Sequence, residues 1–276
     1  MTLAQYLAEL EQELVAVGEE AESLSFVYRA LNDLSFTDFV FKLRAEVSQE
    51  DRDQLKAIQE QLLAHKPAQY IIGSSDFHGL TLKVDERVLI PRPETEELLE
   101  LILSENPEKS VSVLDIGTGS GAIALALASS RPDWQITASD LSSDALALAA
   151  ENAQSCGLNP TFVQSDCLDA ISGKFDIIVS NPPYISEADK DEVGLNVLTS
   201  EPHMALFAEE DGYAVYRKIA EQAGVHLTEK GKIYLEIGYK QGAGIRELFK
   251  KYFPQKRIRV LKDQFGKDRM VAVDNG

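Results

Sequence analysis

Apolar positions recur at spacings of three and four along the first 65 residues: Leu3, Tyr6, Leu7, Leu10 and Leu14, then Phe36, Phe39, Val40 and Leu43, then Leu55, Ile58, Leu62 and Leu63. Such spacing puts them on one face of a helix. It predicts a small helical domain over residues 1–66, with Pro67 stopping the last helix. Next, Phe77-His78-Gly79-Leu80-Thr81-Leu82-Lys83-Val84 shows partial alternation and glycines, the mark of a short hairpin. Residues 67–90 therefore read as a linker, and 91–276 as a second domain. There the texture changes to short apolar runs at 111–116, 135–139, 161–164, 175–180 and 232–237, with amphipathic segments between most of them. Strands alternating with helices imply a parallel sheet covered on both faces. Residues 258–261 and 270–273 are separated by a polar turn too short for a crossover helix, so they are expected to pair antiparallel.

Composition changes the picture by exclusion. Lys and Arg total 27 against 45 Asp and Glu, a formal net charge of −18, which repels phosphate backbones and disfavours bulk nucleic-acid binding. The basic residues around Lys250-Lys251 and Lys256-Arg257-Ile258-Arg259 read as a solvated helix end and strand edge. No apolar stretch approaches the roughly 20 residues a membrane span needs. The start, with Glu9, Glu11 and Glu13, lacks the form of a signal peptide, and a cytoplasmic protein is expected. Two cysteines, Cys156 and Cys167, suggest reduced thiols. Scattered His65, His78, His203 and His226 have no metal-ligand spacing, so no metal is expected.

Candidate chemistry begins at Asp115-Ile116-Gly117-Thr118-Gly119-Ser120-Gly121, between the first strand and an apolar helix. Three glycines allow a tight turn that brings backbone amides against a nucleotide-like ligand, although a dinucleotide-binding oxidoreductase carries glycines here too. Asp140 ends the second strand about 20 residues later, where an acid accepts hydrogen bonds from ribose hydroxyls; its other reading is a helix cap near Ser142. Asp166, past the third strand, is either at an adenine edge or an ordinary turn aspartate.

At the end of the buried strand Phe175–Ser180 stands Asn181-Pro182-Pro183-Tyr184. Two prolines fix two φ angles and remove two donors, leaving a rigid row of acceptors. The Asn181 side-chain oxygen and the Pro182 carbonyl can take both N–H bonds of a planar –NH2 group, amide or base amine, with Tyr184 over its face. Held against the electrophilic methyl of a sulfonium, such a nitrogen gains chiefly from approach and orientation.

From Leu89 to Tyr184 the sequence resembles the HemK/PrmC family of methyltransferases, which modify a glutamine of peptide chain release factors. The resemblance rests on Leu89-Ile90-Pro91-Arg92-Pro93-Glu94-Thr95-Glu96, on the glycine turn, and on Ser180-Asn181-Pro182-Pro183-Tyr184-Ile185. It continues through Glu201-Pro202 to the C-terminal strands. It implies a class I S-adenosylmethionine-dependent methyltransferase fold, mostly a parallel doubly wound sheet with a C-terminal antiparallel hairpin, beside a small all-helical N-terminal domain that helps read the substrate. It also implies that Asp115, Gly117 to Gly121, Asp140, Asp166, Cys167 and Asn181 bind S-adenosylmethionine, with S-adenosylhomocysteine as product. By the same resemblance, Asn181, Pro182, Pro183 and Tyr184 are expected to hold the glutamine of a Gly-Gly-Gln loop, for methylation at its side-chain N5. One departure is Cys167, where the family often has an aromatic residue to stack on adenine; its backbone amide is left to meet the ring. Other readings are a ribosomal-protein glutamine methyltransferase, an adenine-N6 methyltransferase, which shares Asn-Pro-Pro-Tyr, a nicotinamide-dependent oxidoreductase and a non-catalytic binding module.

Overall fold

The computed structural model describes residues 1–106 and 110–276, which divide into two compact units. Met1–Ser74 with Val193–Glu201 form the first, and Ser75–Glu192 with Pro202–Gly276 the second. Among the described residues, no helix is long and apolar enough to cross a membrane.

The first unit contains α1 (Leu3–Ala16), α2 (Glu22–Leu31), α3 (Phe36–Lys42), α4 (Gln49–Leu63) and α5 (Ala68–Ile72). Thr2 with Gln5 and Ser48 with Asp51 form capping boxes that start α1 and α4. The core is the expected periodic set, Leu3, Leu7, Leu10 and Leu14 against Leu55, Ile58 and Leu62, joined by Leu24, Val27 and Tyr28 of α2. Helix α2 was not foreseen, because Ala21 at its cap makes no side-chain hydrogen bond and so leaves no start signal. Residues 67–90, read as a linker, divide between the units: α5 lies in the first and nearly all of the hairpin in the second.

In the second unit, β1 (Ser74–Phe77) and β2 (Leu80–Lys83) make that hairpin, followed by α6 (Pro93–Glu105), β3 (Ser112–Ile116), α7 (Ala122–Ser130), β4 (Gln135–Asp140), α8 (Ser143–Cys156), β5 (Thr161–Gln164) and β6 (Phe175–Ser180). Past several short helical turns come α9 (Ala214–His226), β7 (Leu227–Glu236), α10 (Gly242–Tyr252), β8 (Arg257–Lys262) and β9 (Asp268–Asp274). Seven strands form one sheet in the order β5-β4-β3-β6-β7-β9-β8. All neighbours are parallel except β7 with β9 and β8 with β9. Strand β7 begins at Leu227, before the apolar run, because Leu227 pairs with Phe175 across a register shift that the polar residues 228–230 conceal in sequence.

Both faces are apolar, and side-chain alternation divides them. Val113, Ile177, Val179, Tyr234 and Ala272 join α6 and α7 on one side; Leu114, Ile178, Ile233, Leu235, Val271 and Val273 join α9 and α10 on the other. Helix α7 is buried from Ala122 through Leu127, so it shows no polar stripe. Each fully buried leucine, isoleucine or valine in these layers contributes about 1.5–3 kcal/mol. The C-terminal basic cluster is engaged internally: Arg259 pairs with Glu105 and Asp274, each at 2.7 Å, and Arg257 with Asp274 at 2.9 Å.

Candidate active site

Open parallel sheets bind ligands beyond the carboxyl ends of the strands, where strand order reverses. Here that point lies between β3 and β6, where Ile116 and Ser180 are register partners and the Ser180 hydroxyl donates to the Ile116 carbonyl at 2.7 Å. The glycine turn and Asn-Pro-Pro-Tyr therefore leave the sheet side by side. A cavity of about 400 Å³ opens there, a size suited to a nucleoside-like ligand. Gly117, Thr118, Gly119, Ser120, Asp140, Asp166, Cys167, Asn181, Pro182 and Pro183 line it, whereas Asp115, Gly121 and Tyr184 do not.

Gly117, Gly119 and Gly121 sit at φ of 71°, 56° and 85°, a region glycine adopts without strain. Gly117 and Thr118 amides donate to the Ser139 carbonyl at 2.8 and 2.9 Å, and the Gly119 amide donates to Asp140 Oδ2 at 2.9 Å. Contrary to expectation, these amides are engaged within the protein. A bound pyrophosphate would need them free, which counts against a nicotinamide dinucleotide. Asn152, 2% exposed, accepts from the Lys83 amide at 2.7 Å and donates to the Ser120 carbonyl at 2.9 Å, tying the hairpin to the turn.

Asp140 accepts from the Ser142 amide through Oδ1 and from Gly119 through Oδ2, each at 2.9 Å. Ser142 itself caps α8, accepting from the Ala145 amide at 3.1 Å, so the capping role does not fall to Asp140. Its oxygens keep further lone pairs, and burial raises its carboxyl above the ordinary range despite the amides it faces. Asp115 is fully buried beneath the turn; Oδ2 accepts from the Thr118 hydroxyl at 2.6 Å, and the Ala124 backbone amide also faces the carboxyl. Asp166 is held by Lys218 at 2.6 Å, both about half exposed. Cys167, at φ 52°, has its thiol pushed up to about 11 by burial, with the Asp166 charge adding to it.

Asn181 Nδ2 donates to the Thr95 hydroxyl at 3.1 Å, and that hydroxyl donates to Glu236 Oε2 at 2.6 Å. Oδ1 is thereby the end of the amide left to accept. Tyr184 stands behind the cavity wall, its ring packed against the core; burial pushes its phenol up to about 12. Its carbonyl accepts from Gln241 Nε2 at 3.1 Å, which also donates to the Gly212 carbonyl at 3.3 Å. The Tyr184 ring lies partly buried against the core, next to the cavity-lining Pro183. Glu236, Gln241, Gly212 and Asn152 escaped the sequence reading, and Thr95 stood within the Leu89–Glu96 motif without a role. Glu236 carried a signal, an acid closing the apolar run Ile233-Tyr234-Leu235.

Burial holds both Asp115 and Glu236 at about 7, above the 3.8 and 4.5 of free carboxyls. Because the folded state binds these protons more tightly than the unfolded chain, their contribution favours folding at acid pH and declines as pH rises from about 4 to about 7. Asp51 and Asp274, lowered to about 2, act below that window. The thermal midpoint of the ligand-free protein is therefore expected to fall between about pH 5 and about pH 7.5, and less so in an Asp115→Asn, Glu236→Gln variant. A midpoint rising over that interval, or an equal fall in the variant, contradicts the assignment.

The sheet order, the glycine turn at the switch point and the adjoining acceptor row define a methyltransferase domain. A family model described as methyltransferase small domain matches residues 94–271, and one described as PrmC N-terminal domain matches residues 5–73. A methyltransferase from Pyrococcus furiosus shares the fold, with a TM-score of 0.55 at 20% identity over 82% of this chain and 98% of that one. Release factor glutamine methyltransferase of Streptococcus pneumoniae is 65% identical over 100% of this chain and 99% of its own. The enzyme of that name from Lactococcus lactis is 51% identical over 92% and 94%. The chain belongs to the release factor glutamine methyltransferase family.

Proposed function

We propose that this protein transfers a methyl group from S-adenosylmethionine to the side-chain amide nitrogen of the glutamine in the Gly-Gly-Gln loop of peptide chain release factors. The observation that carries the reading is the tethered Asn181 amide beside the glycine turn, its Nδ2 tied to Thr95 and its Oδ1 left as acceptor. When bound, the cofactor supplies a methyl group on a positively charged sulfur and leaves as S-adenosylhomocysteine. Asp140 would accept from its ribose hydroxyls, and the glycine turn from Gly117 to Ser120 would wall its sugar and amino-acid portions. Asp115, beneath the turn, would act on that end only through the Thr118 hydroxyl that it holds. Asp166 and the Cys167 amide, which line the same cavity, would face the adenine.

Asn181 Oδ1 and the Pro182 carbonyl take the two N–H bonds of the substrate amide, with Pro183 keeping the row rigid. An amide nitrogen is a poor nucleophile, so orientation carries much of the rate. The same two acceptors stabilise the positive charge that develops on nitrogen. No base is needed before transfer, since the proton leaves afterwards. An adenine amine would fit the same acceptors, but a net charge of −18 and the internal pairing of Arg257 and Arg259 work against a nucleic-acid substrate. The helical unit, which exposes Phe26, Phe36 and Phe41, is assigned part of release-factor docking, and the reading carries a cytoplasmic location with it.

Calorimetric titration tests the cofactor half. Asp140→Ala is expected to weaken S-adenosylhomocysteine binding by roughly tenfold to a hundredfold, the worth of one charged hydrogen bond, with NAD binding neither form. Unchanged affinity in the variant removes Asp140 from the site, and tighter binding of NAD overturns the methyltransferase reading.

A further inference from the structure

The buried face of the sheet under α6 is apolar at Ile177, Val179, Tyr234 and Ala272, yet Glu236, 2% exposed, follows on the same face of β7. It meets the hydroxyl of Thr95, 4% exposed in the first turn of α6. Burying a carboxylate there is unfavourable unless it has work to do.

We infer that Glu236 and Thr95 form a relay that sets which end of the Asn181 amide faces the substrate, making both positioning residues for methyl transfer. The inference rests on the proposed role of Asn181 as holder of the substrate amide.

An asparagine amide has a donor end and an acceptor end of nearly equal shape. A half-turn exchanges them at small steric cost. A trap for an –NH2 group works with the oxygen outward and repels it with the nitrogen outward. The choice must be fixed from behind. A hydroxyl has one proton, and Thr95 gives its proton to Glu236 at 2.6 Å. It then has lone pairs alone to offer Asn181, which must answer with Nδ2, as it does at 3.1 Å. The polarity runs Asn181 to Thr95 to Glu236 and ends on a carboxylate that, when ionised, can accept and not donate.

Burial, with the Glu94 charge adding to it, pushes the Glu236 carboxyl up to about 7, while the Thr95 hydroxyl and the Arg269 and Arg92 charges pull toward ionisation, so the carboxylate end state belongs to pH above about 7. Tyr216 donates to the Glu236 backbone carbonyl at 2.7 Å and fixes the strand end. Replacing Glu236 by glutamine should reverse the chain. The glutamine oxygen would turn to the Arg269 charge and its –NH2 to Thr95. Thr95 would then donate to Asn181, drawing Oδ1 inward and pushing Nδ2 toward the substrate.

The test measures kcat and KM for a purified release factor, and S-adenosylhomocysteine affinity, in the full chain and four variants at about pH 8, where Glu236 is ionised. Thr95→Val, which keeps shape and loses the hydroxyl, is expected to lose about 10²-fold in kcat with cofactor affinity unchanged. Thr95→Ser should restore wild-type kcat, and Glu236→Gln should fall as far as Thr95→Val. If the bond merely pinned α6 to β7, the thermal midpoint would drop and kcat would hold. Full kcat in Thr95→Val, or Thr95→Ser as impaired as Thr95→Val, overturns the relay while an inactive Asn181→Ala leaves the trap standing. An active Asn181→Ala overturns the trap and the relay together. Should Thr95→Val lose cofactor binding, Glu236→Gln decides, and full kcat there overturns the relay.

Discussion

Asn181→Ala is expected to bring methyl transfer close to zero while the protein still binds S-adenosylhomocysteine as the wild type does. The variant keeps the Pro182 carbonyl but loses the second acceptor, so the substrate amide is held by one N–H and is free to swing. It also loses half the stabilisation of charge developing on nitrogen. Removal of one preorganised partner at such a position costs on the order of 10²–10³-fold in kcat, and lost orientation adds to that. Cofactor affinity should hold, because Asp140 and the glycine turn stand on β4 and β3 and share no hydrogen bond with Asn181. Freeing the Thr95 lone pairs costs about 1 kcal/mol of stability, which a folded unit of this size tolerates. Single-turnover methylation with calorimetry on the same preparation separates the two effects, and retained turnover removes Asn181 from the mechanism.

Gly212→Ala should damage both stability and rate. Gly212 sits at φ +85°, and a Cβ there would lie 2.2 Å from the Tyr184 carbonyl oxygen and 2.8 Å from Gln241 Nε2. Glu210 and Asp211 before it already occupy φ of 54° and 55°, so the turn has little freedom to give. The left-handed conformation alone costs about 1–2 kcal/mol. Loss of the Gln241 bridge to Tyr184 and Gly212 adds about 1 kcal/mol per bond. The thermal midpoint should fall by roughly 5–10 °C. The displaced Tyr184 carbonyl moves the acceptor row with it, so kcat should fall as well. Gly266→Ala is the control. Its φ of +76° carries the same backbone cost, but among the described residues nothing lies within 4 Å of a Cβ there. It should lose stability and keep its rate. Equal rate loss in both variants, or none in Gly212→Ala, contradicts the close approach.

The contrast between these positions shows what sequence can carry. Strand and helix periods located the sheet, its parallel core and its antiparallel C-terminal pair, because alternation and 3.6-residue spacing are local. Asp140, the glycine turn and Asn181 were legible for a similar reason: each follows a strand whose end in an open sheet is a known place for ligands. Thr95, Glu236, Gln241 and Gly212 were not, since their meaning lies in contacts across 29 to 141 residues of chain. The Asn-Pro-Pro-Tyr motif says nothing of what holds Tyr184 in place: its ring packs partly against the apolar layer under α9, and its carbonyl accepts from Gln241. The glycine amides were misread, because Ser139 and Asp140 on the adjacent strand claim them before any ligand does.

The central claim is that the acceptor row holds a protein glutamine. It is tested most directly by incubating the purified enzyme with a purified release factor and methyl-labelled cofactor, then mapping the modified residue by mass spectrometry. The account predicts one methyl group on the side-chain nitrogen of the Gly-Gly-Gln glutamine, absent with Asn181→Ala; an unmodified glutamine there, with label appearing on nucleic acid or another protein, would contradict it.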